Sequence, residues 1–76
     1  MDPIERIVVD SKVMVGKPVI KGTRLAVEFI LGLLAGGWTY EQVLANYPGL
    51  EALDIQACLE YARRMVQQER AYPIAT

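Results

Sequence analysis

Residues 16–27 read GKPVIKGTRLAV and hold two glycines, one proline and three of the chain's eight basic residues. The ring of Pro18 fixes φ at about −65° and favours an extended conformation at Lys17, so no helix can cover this stretch. Gly22 can adopt a positive φ, and the hydroxyl of Thr23 can bond nearby backbone groups. The pattern predicts a short extended segment and a tight turn that leads into a helix. Such a turn either serves the fold alone or also presents a rigid basic surface.

The chain has 76 residues, of which 53% are hydrophobic. A domain of this size buries only about 60–65% of its unfolded surface, so we expect an apolar patch that another chain covers. We predict one domain over 1–76, divided into a β-ribbon and basic turn (4–25), a three-helix core (26–70) and a tail (71–76). Self-association, most simply as a homodimer, is the first functional expectation.

Several classes of function are disfavoured by composition. The N-terminus has neither a basic start nor a long apolar run, and the nearly uncharged stretch 25–40 is too short to span a bilayer. With no histidine and only Cys58, one chain cannot assemble a His/Cys metal site or a Ser-His or Cys-His catalytic pair. We therefore expect a cytoplasmic protein that is no enzyme, with no cofactor, membrane contact or small-molecule substrate.

The net charge of −1 conceals a strong segregation of charge along the chain. Residues 1–10 carry −2, residues 11–25 carry +4, residues 26–62 carry −5 with no base, and residues 63–76 carry +2. A basic band and an acidic middle can face different partners or each other. The candidate nucleic-acid-binding residues are Lys12, Lys17, Lys21 and Arg24.

Two short apolar runs near the N-terminus predict a β-ribbon across 6–9 and 12–15, which 18–21 can extend. A lone hairpin is only marginally stable, so the ribbon must pack on helices or pair with strands of another subunit.

The first helix is predicted over 26–35, and its apolar stripe consists of Val27, Ile30, Leu31 and Leu34. Phe29 and Leu33 lie outside the stripe, which makes the helix apolar nearly all round and predicts burial all round. Either the strands or a second subunit must then cover the other face. Gly36 and Gly37 supply a left-handed cap. The candidate dimer-interface residues are Val8, Val13, Val15, Phe29 and Leu33.

The second helix is predicted to start after Thr39, which with Gln42 fits a capping box. Trp38 and Val43 stand at the positions of a hydrophobic staple. The helix should end near 46–47, since a Pro-Gly pair follows.

The third helix is predicted to begin at residue 51 or 53 and to run to about residue 69. Its predicted buried stripe consists of Ile55, Cys58, Leu59, Ala62 and Val66. Cys58 is interpreted as a core residue without reactive chemistry. Pro73 ends the helix, and the tail is either frayed or docked on a partner.

A short helix, a tight turn and a longer helix form a helix-turn-helix layout. The segments GKPVIKGTR at 16–24, AGGWT at 35–39, YPGL at 47–50, IQA at 55–57 and EYA at 60–62 resemble one small bacterial and archaeal family, domain of unknown function 433. The resemblance covers about residues 4–66.

This resemblance implies a mainly α, homeodomain-like three-helix core with a short N-terminal β-ribbon, in a dimer. It also implies the antitoxin of a toxin–antitoxin pair, whose partner is a nuclease toxin resembling the PIN domain. Such antitoxins usually bind their own promoter DNA.

The residues themselves argue against DNA reading by the third helix. The start of a recognition helix enters the major groove, yet here that region carries Glu51, Asp54 and Glu60 and no base before Arg63. If DNA is bound, we expect the basic ribbon and turn to contact it.

Two alternatives to the antitoxin hypothesis remain open: a DNA-binding regulator without a toxin partner, and a dimeric protein-interaction module that binds no DNA. A toxin's basic rim can meet the acidic third helix, or its acidic cleft can meet the segment 63–76. A pair of arginines at 63–64 is also a common solvated helix end. The candidate partner-binding residues are Arg63, Arg64, Arg70 and Tyr72.

Overall fold

The structure, a computed structural model, describes residues 2–9 and 16–68. This part is mainly helical, with three α-helices and a two-stranded antiparallel sheet preceded by one turn of 3₁₀ helix. The elements in order are the 3₁₀ helix Pro3–Arg6, β1 (Ile7–Val9), β2 (Pro18–Ile20), α1 (Val27–Ala35), α2 (Tyr40–Asn46) and α3 (Ala52–Gln68).

The sheet pairs Ile7 with Ile20 and Val9 with Pro18. The partner of β1 is therefore the third predicted segment, because the buried side chains of β2 anchor that strand in the core. The second predicted strand, 12–15, lies outside the described residues.

The predicted turn after β2 is confirmed and is held by a compact set of hydrogen bonds. The carbonyl of Ile20 accepts from both the backbone N–H (3.0 Å) and the hydroxyl (2.8 Å) of Thr23. That hydroxyl oxygen accepts from the N–H of Leu25 at 3.0 Å, and Gly22 has φ +81°. Ile20 N–H closes the loop by donating to the carbonyl of Leu25 at 3.0 Å. The turn is thus fixed by its own sequence and delivers the chain to α1.

Helix α1 begins one residue after the predicted start and ends on the predicted glycine pair. Gly37 has φ +98°, and its N–H donates to the carbonyl of Leu34 at 3.0 Å. The N–H of Trp38 donates to the carbonyl of Leu33, also at 3.0 Å. These two bonds form a Schellman motif, which turns the chain directly into α2.

The predicted capping box of α2 is confirmed. The N–H of Gln42 donates to Thr39 Oγ1 at 3.1 Å, and the N–H of Thr39 donates to Gln42 Oε1 at 2.8 Å. Val43 is fully buried, and Trp38 packs against the same core. The short helix is thereby fixed at its first turn.

In α3, the predicted burial of two residues is wrong. Ile55 and Cys58 are buried as expected, but Leu59 and Val66 are 41% and 58% exposed. Both lie roughly 80–100° around the helix from Cys58, at the edge of the apolar stripe. In so small a domain, the core beneath α3 is too narrow to reach them.

The core lies where the sheet and the three helices meet. Its fully or nearly fully buried members are Ile20, Val27, Ile30, Val43, Leu50, Ile55 and Cys58. Within residues 2–9 and 16–68, no helix has both the length and the apolar character needed to cross a bilayer.

Candidate interaction surfaces

The basic surface predicted around the turn presents less free positive charge than the sequence suggests. Lys17 Nζ lies 2.6 Å from Glu28 Oε1, so this ammonium is neutralised by α1. Lys21 lines a shallow depression together with Asp54 and other charged side chains. Arg24 is exposed, and the described part of the chain provides no ion-pair partner for it. Lys12, the fourth candidate, lies outside the described residues.

Arg6 joins the N-terminal segment to the start of α3, which sequence reasoning missed. Its Nη1 donates to Glu51 Oε1 at 2.8 Å and to Asp54 Oδ1 at 2.9 Å. Asp54 is only 7% exposed, and its Oδ2 accepts from the N–H of Glu51 at 2.8 Å. The bonds that Arg6 donates to Glu51 and Asp54 raise the pKa of Arg6. The acidic start of α3 is therefore partly neutralised within the chain.

Sequence signals could have revealed only half of this arrangement. Asp54 stands three residues after Glu51, the spacing at which a side chain caps the first turn of a helix. Arg6 is 48 residues from Asp54, and nothing in the local pattern assigns it this partner.

The predicted partner-binding arginines of α3 form a second cluster of charges. Glu60 accepts from Arg63 Nη2 at 2.8 Å and from Arg64 Nε at 2.6 Å. These bonds lower the pKa of Glu60 to about 2, and the bond from Arg63 makes the largest contribution. Arg64 Nη2 also donates to Asp2 Oδ2 at 2.7 Å, which lowers the pKa of Asp2. The cluster fixes both guanidinium groups and ties the N-terminus to α3.

Arg70 and Tyr72, the other two predicted partner-binding residues, lie outside the described residues.

Large apolar side chains are exposed at six positions of the described chain. They are Val9, Phe29, Tyr40, Leu53, Leu59 and Val66. Leu59 and Val66 flank Arg63 at helical spacing, and we call these three residues the α3 outer face. This face combines two exposed apolar side chains with a guanidinium that Glu60 holds in place.

The predicted dimer-interface residues are only partly brought together. Phe29 is 41% exposed, and its ring meets the ring of Tyr47 edge-on at a centroid distance of 5.6 Å. Leu33 and Val8 are half-buried. Val13 and Val15 lie outside the described residues.

The one thiol, Cys58, is fully buried, and burial raises its pKa to about 11, so it is a poor nucleophile. No group of three or more metal-ligating side chains occurs within 2–9 and 16–68.

Known proteins share both the sequence and the fold. The chain is 80% identical over 25 residues to an uncharacterised protein of Archaeoglobus fulgidus, a match covering 33% of this chain and 69% of that protein. The crystal structure of a DUF433 member protein from Anabaena variabilis is similar to this fold, with a TM-score of 0.76 and 32% sequence identity to this chain. That match covers 83% of this chain but only 62% of the Anabaena chain, so this protein spans less than two thirds of its length.

The sequence profile of the family described as "Protein of unknown function (DUF433)" matches residues 7–62, which is well over half of the chain. The matched region runs from β1 into α3 and includes both the turn after β2 and the capped corner between α1 and α2. This protein belongs to the DUF433 family.

Proposed function

We propose that this protein is an antitoxin-like module that binds and neutralises a nuclease toxin resembling the PIN domain, in the cytoplasm and without catalysis of its own. The α3 outer face is the toxin-binding surface. The observation that supports this most strongly is the exposure of Leu59 (41%) and Val66 (58%) on either side of Arg63.

A face of this composition suits a protein partner. Arginine is enriched at protein interfaces, and apolar side chains at spacings of four and three residues are typical of a helix that docks into a groove. Glu60 holds Arg63 at 2.8 Å, so little conformational entropy of that long side chain remains to be lost on binding. The composition of this face therefore favours contact with a second protein over exposure to solvent.

Toxin binding is tested by co-expression with the product of the adjacent gene, which we expect to encode the nuclease. The variant Leu59→Ser/Val66→Ser should lose co-purification and no longer relieve the toxin's RNA cleavage. Both side chains are exposed, so the variant should fold. Leu53→Ser is the matched control, because Leu53 is 48% exposed on another side of the same helix. A parent protein that ignores the nuclease, or a double variant that binds it as well as the parent, contradicts the proposal.

Binding to promoter DNA is the second candidate, within a homeodomain-like helix-turn-helix formed by α2 and α3. The start of α3 presents the exposed Glu51, which Arg6 only partly neutralises, and α3 has no base before Arg63 that could contact phosphates there. The rigid turn after β2, which carries Lys21 and Arg24, is the better DNA-contacting surface. Strands and turns can read a groove as helices do.

A gel shift on the protein's own upstream DNA, at about 50 and 200 mM salt, tests this second candidate. The variant Lys17→Ala/Lys21→Ala/Arg24→Ala should bind more weakly and with a shallower dependence on salt. Equal binding by a folded variant excludes the turn. If the parent does not shift the DNA at low salt, the protein is a protein-binding module alone.

A further inference from the structure

We propose that a second copy of this chain docks on the outer face of α1, with the two α1 helices antiparallel about a two-fold axis. The α1 outer face consists of Glu28, Phe29, Gly32, Ala35 and Gly36, all of which are exposed. This surface lies on a different helix from the α3 outer face, so the two bindings can be separated by mutation.

The α1 outer face has almost none of the polar character that water-facing helices have. A surface helix normally turns charged and polar residues away from the core. Here the only charge is Glu28, and Lys17 Nζ neutralises it at 2.6 Å. Two copies can therefore meet along this face without burying an unpaired charge, which would be costly.

The shape of the face is complementary to itself. Phe29 is 41% exposed at one end, and its ring packs edge-on against Tyr47 at 87°. Gly36 leaves a hollow at the other end, two helical turns or about 10 Å away. An antiparallel two-fold axis between Gly32 and Leu33 sets Phe29 of each copy over Gly36 of the other. Such reciprocal contacts are what a two-fold interface requires.

The charges favour the same antiparallel orientation. The C-terminal end of α1 carries partial negative charge, and its last turn contains no basic side chain. Antiparallel docking brings Lys17 of one copy to that end of the other copy's helix. Lys17 then interacts with both its own Glu28 and the facing carbonyl groups.

The area available fits a second copy that binds with modest strength. Nine residues of α1 span only about 14 Å, which alone is less than a standard interface needs. Val9, which pairs with Pro18 next to Lys17, also has an exposed side chain. We therefore expect a dimer that dissociates in the micromolar range.

Gly32→Ala is the sharpest test, because the added methyl group meets nothing within 4 Å in the single chain. Alanine also favours the helix, so the monomer should be no less stable. In the dimer the same methyl group lies between two closely packed helices. We expect sedimentation equilibrium to give a dissociation constant about tenfold or more above the parent's, as overpacking a close contact implies.

Phe29→Ser removes the partly exposed ring and should weaken association at least as much. Two matched controls should dimerise like the parent: Gly49→Ala, whose methyl group also meets nothing within 4 Å, and Leu53→Ser on α3. Circular dichroism verifies that each variant is folded.

Four results overturn the proposal. A parent that stays monomeric across the whole concentration range excludes a second copy. Gly32→Ala and Phe29→Ser variants that dimerise like the parent exclude this face. Loss of dimer in Leu59→Ser/Val66→Ser, but not in the α1 variants, assigns the interface to α3. If the parent is monomeric and the α1 variants lose the toxin, the α1 outer face belongs to the toxin.

Discussion

Asp54 is the buried charge among residues 2–9 and 16–68, and both of its carboxylate oxygens accept hydrogen bonds. Oδ1 accepts from Arg6 and Oδ2 accepts from the N–H of Glu51, at 2.9 and 2.8 Å. One side chain thus caps α3 and anchors the segment that leads into β1. An asparagine cannot replace it, because its NH₂ group would face one of the two donors.

We expect Asp54→Asn to lower the free energy of unfolding by about 1.5–3 kcal/mol, the range for a hydrogen bond to a charged group in a buried site. Urea denaturation followed by circular dichroism measures it. Glu51→Gln is the control, because Glu51 also pairs with Arg6 but its side chain is 69% exposed. That change should cost less than about 1 kcal/mol. The reverse order of the two losses would show that the buried oxygens are not what holds this junction.

Glu60 makes the stability of the folded protein depend on pH in the acidic range. Its folded pKa of about 2 lies below its ordinary value of 4.5, because Arg63 and Arg64 donate to the ionised carboxylate. A depressed pKa means that this stabilisation is complete above about pH 4.5 and is lost as the pH falls towards about 2. In that window the parent should lose more stability than Glu60→Gln.

Urea titrations at several pH values between 7 and 2.5 can follow this difference. Glu41→Gln is a suitable control, since Glu41 is exposed on α2 and finds no ion-pair partner within the described ranges. Its curve should run parallel to the parent's. If the curve of Glu60→Gln is also parallel, the arginine pairs of Glu60 do not persist in solution.

At the scale of elements, α2 depends on its cap more than on its length. Seven residues are too few to form a stable helix alone. Thr39 supplies the hydroxyl of the capping box, and it is exposed, so replacing it leaves the core intact. We expect Thr39→Ala to cost about 1 kcal/mol of unfolding free energy, with a range of about 0.5–2.

Thr39→Ser keeps the hydroxyl and serves as the control in thermal and urea denaturation. It should lie close to the parent. Equal losses in both variants would mean that the methyl group of Thr39, and not its oxygen, stabilises the corner between α1 and α2.

Elements that are fixed by contacts over two to five residues were predictable from the sequence. Thr39 and Gln42 specify their own cap, and Gly37 specifies the left-handed end of α1. The turn after β2 belongs to the same class, because Thr23 closes it onto Ile20. In each case the residues that make the contact are also neighbours in the chain.

The features that could not be predicted from the sequence are those that depend on the width and shape of the assembled core. The apolar periodicity of α3 includes Leu59 and Val66, but only the assembled core decides that they remain exposed. The pairing of β1 with β2 sets Ile7 opposite Ile20, 13 residues further along the chain. The bond from Arg6 to Asp54 joins residues 48 apart in the chain. Periodicity reports which residues share a face, and it does not report what covers that face.

At the scale of the whole molecule, the charges of the described chain are largely paired with one another. Arg6, Lys17, Arg63 and Arg64 all contact carboxylates. Beside the turn that carries Lys21 and Arg24, the surfaces that we propose to recruit partners are the apolar faces of α1 and α3. A module that bound nucleic acid alone would have little use for two such faces, whereas a dimeric antitoxin would use one for itself and one for its toxin.

The reactivity of Cys58 can be used to measure global unfolding. It is fully buried in the core, and burial raises its pKa to about 11. Labelling by a thiol-specific disulfide reagent at mildly alkaline pH therefore requires unfolding, which both exposes the sulfur and restores an ordinary thiol pKa of about 8.5. For a domain with a stability of about 5 kcal/mol, labelling should be on the order of 10³-fold slower than in urea.

The same probe links folding to self-association. If a second copy docks on the α1 outer face, mass action stabilises the folded state, and labelling should slow further as the protein concentration rises. Gly32→Ala should shift that dependence to concentrations about tenfold or more higher. It should keep the protection seen in dilute solution, since its added methyl group meets nothing within the single chain. Labelling at the unfolded rate in native buffer would show that Cys58 is not in a stable core. Protection that does not change with concentration in the parent would show that folding needs no second copy.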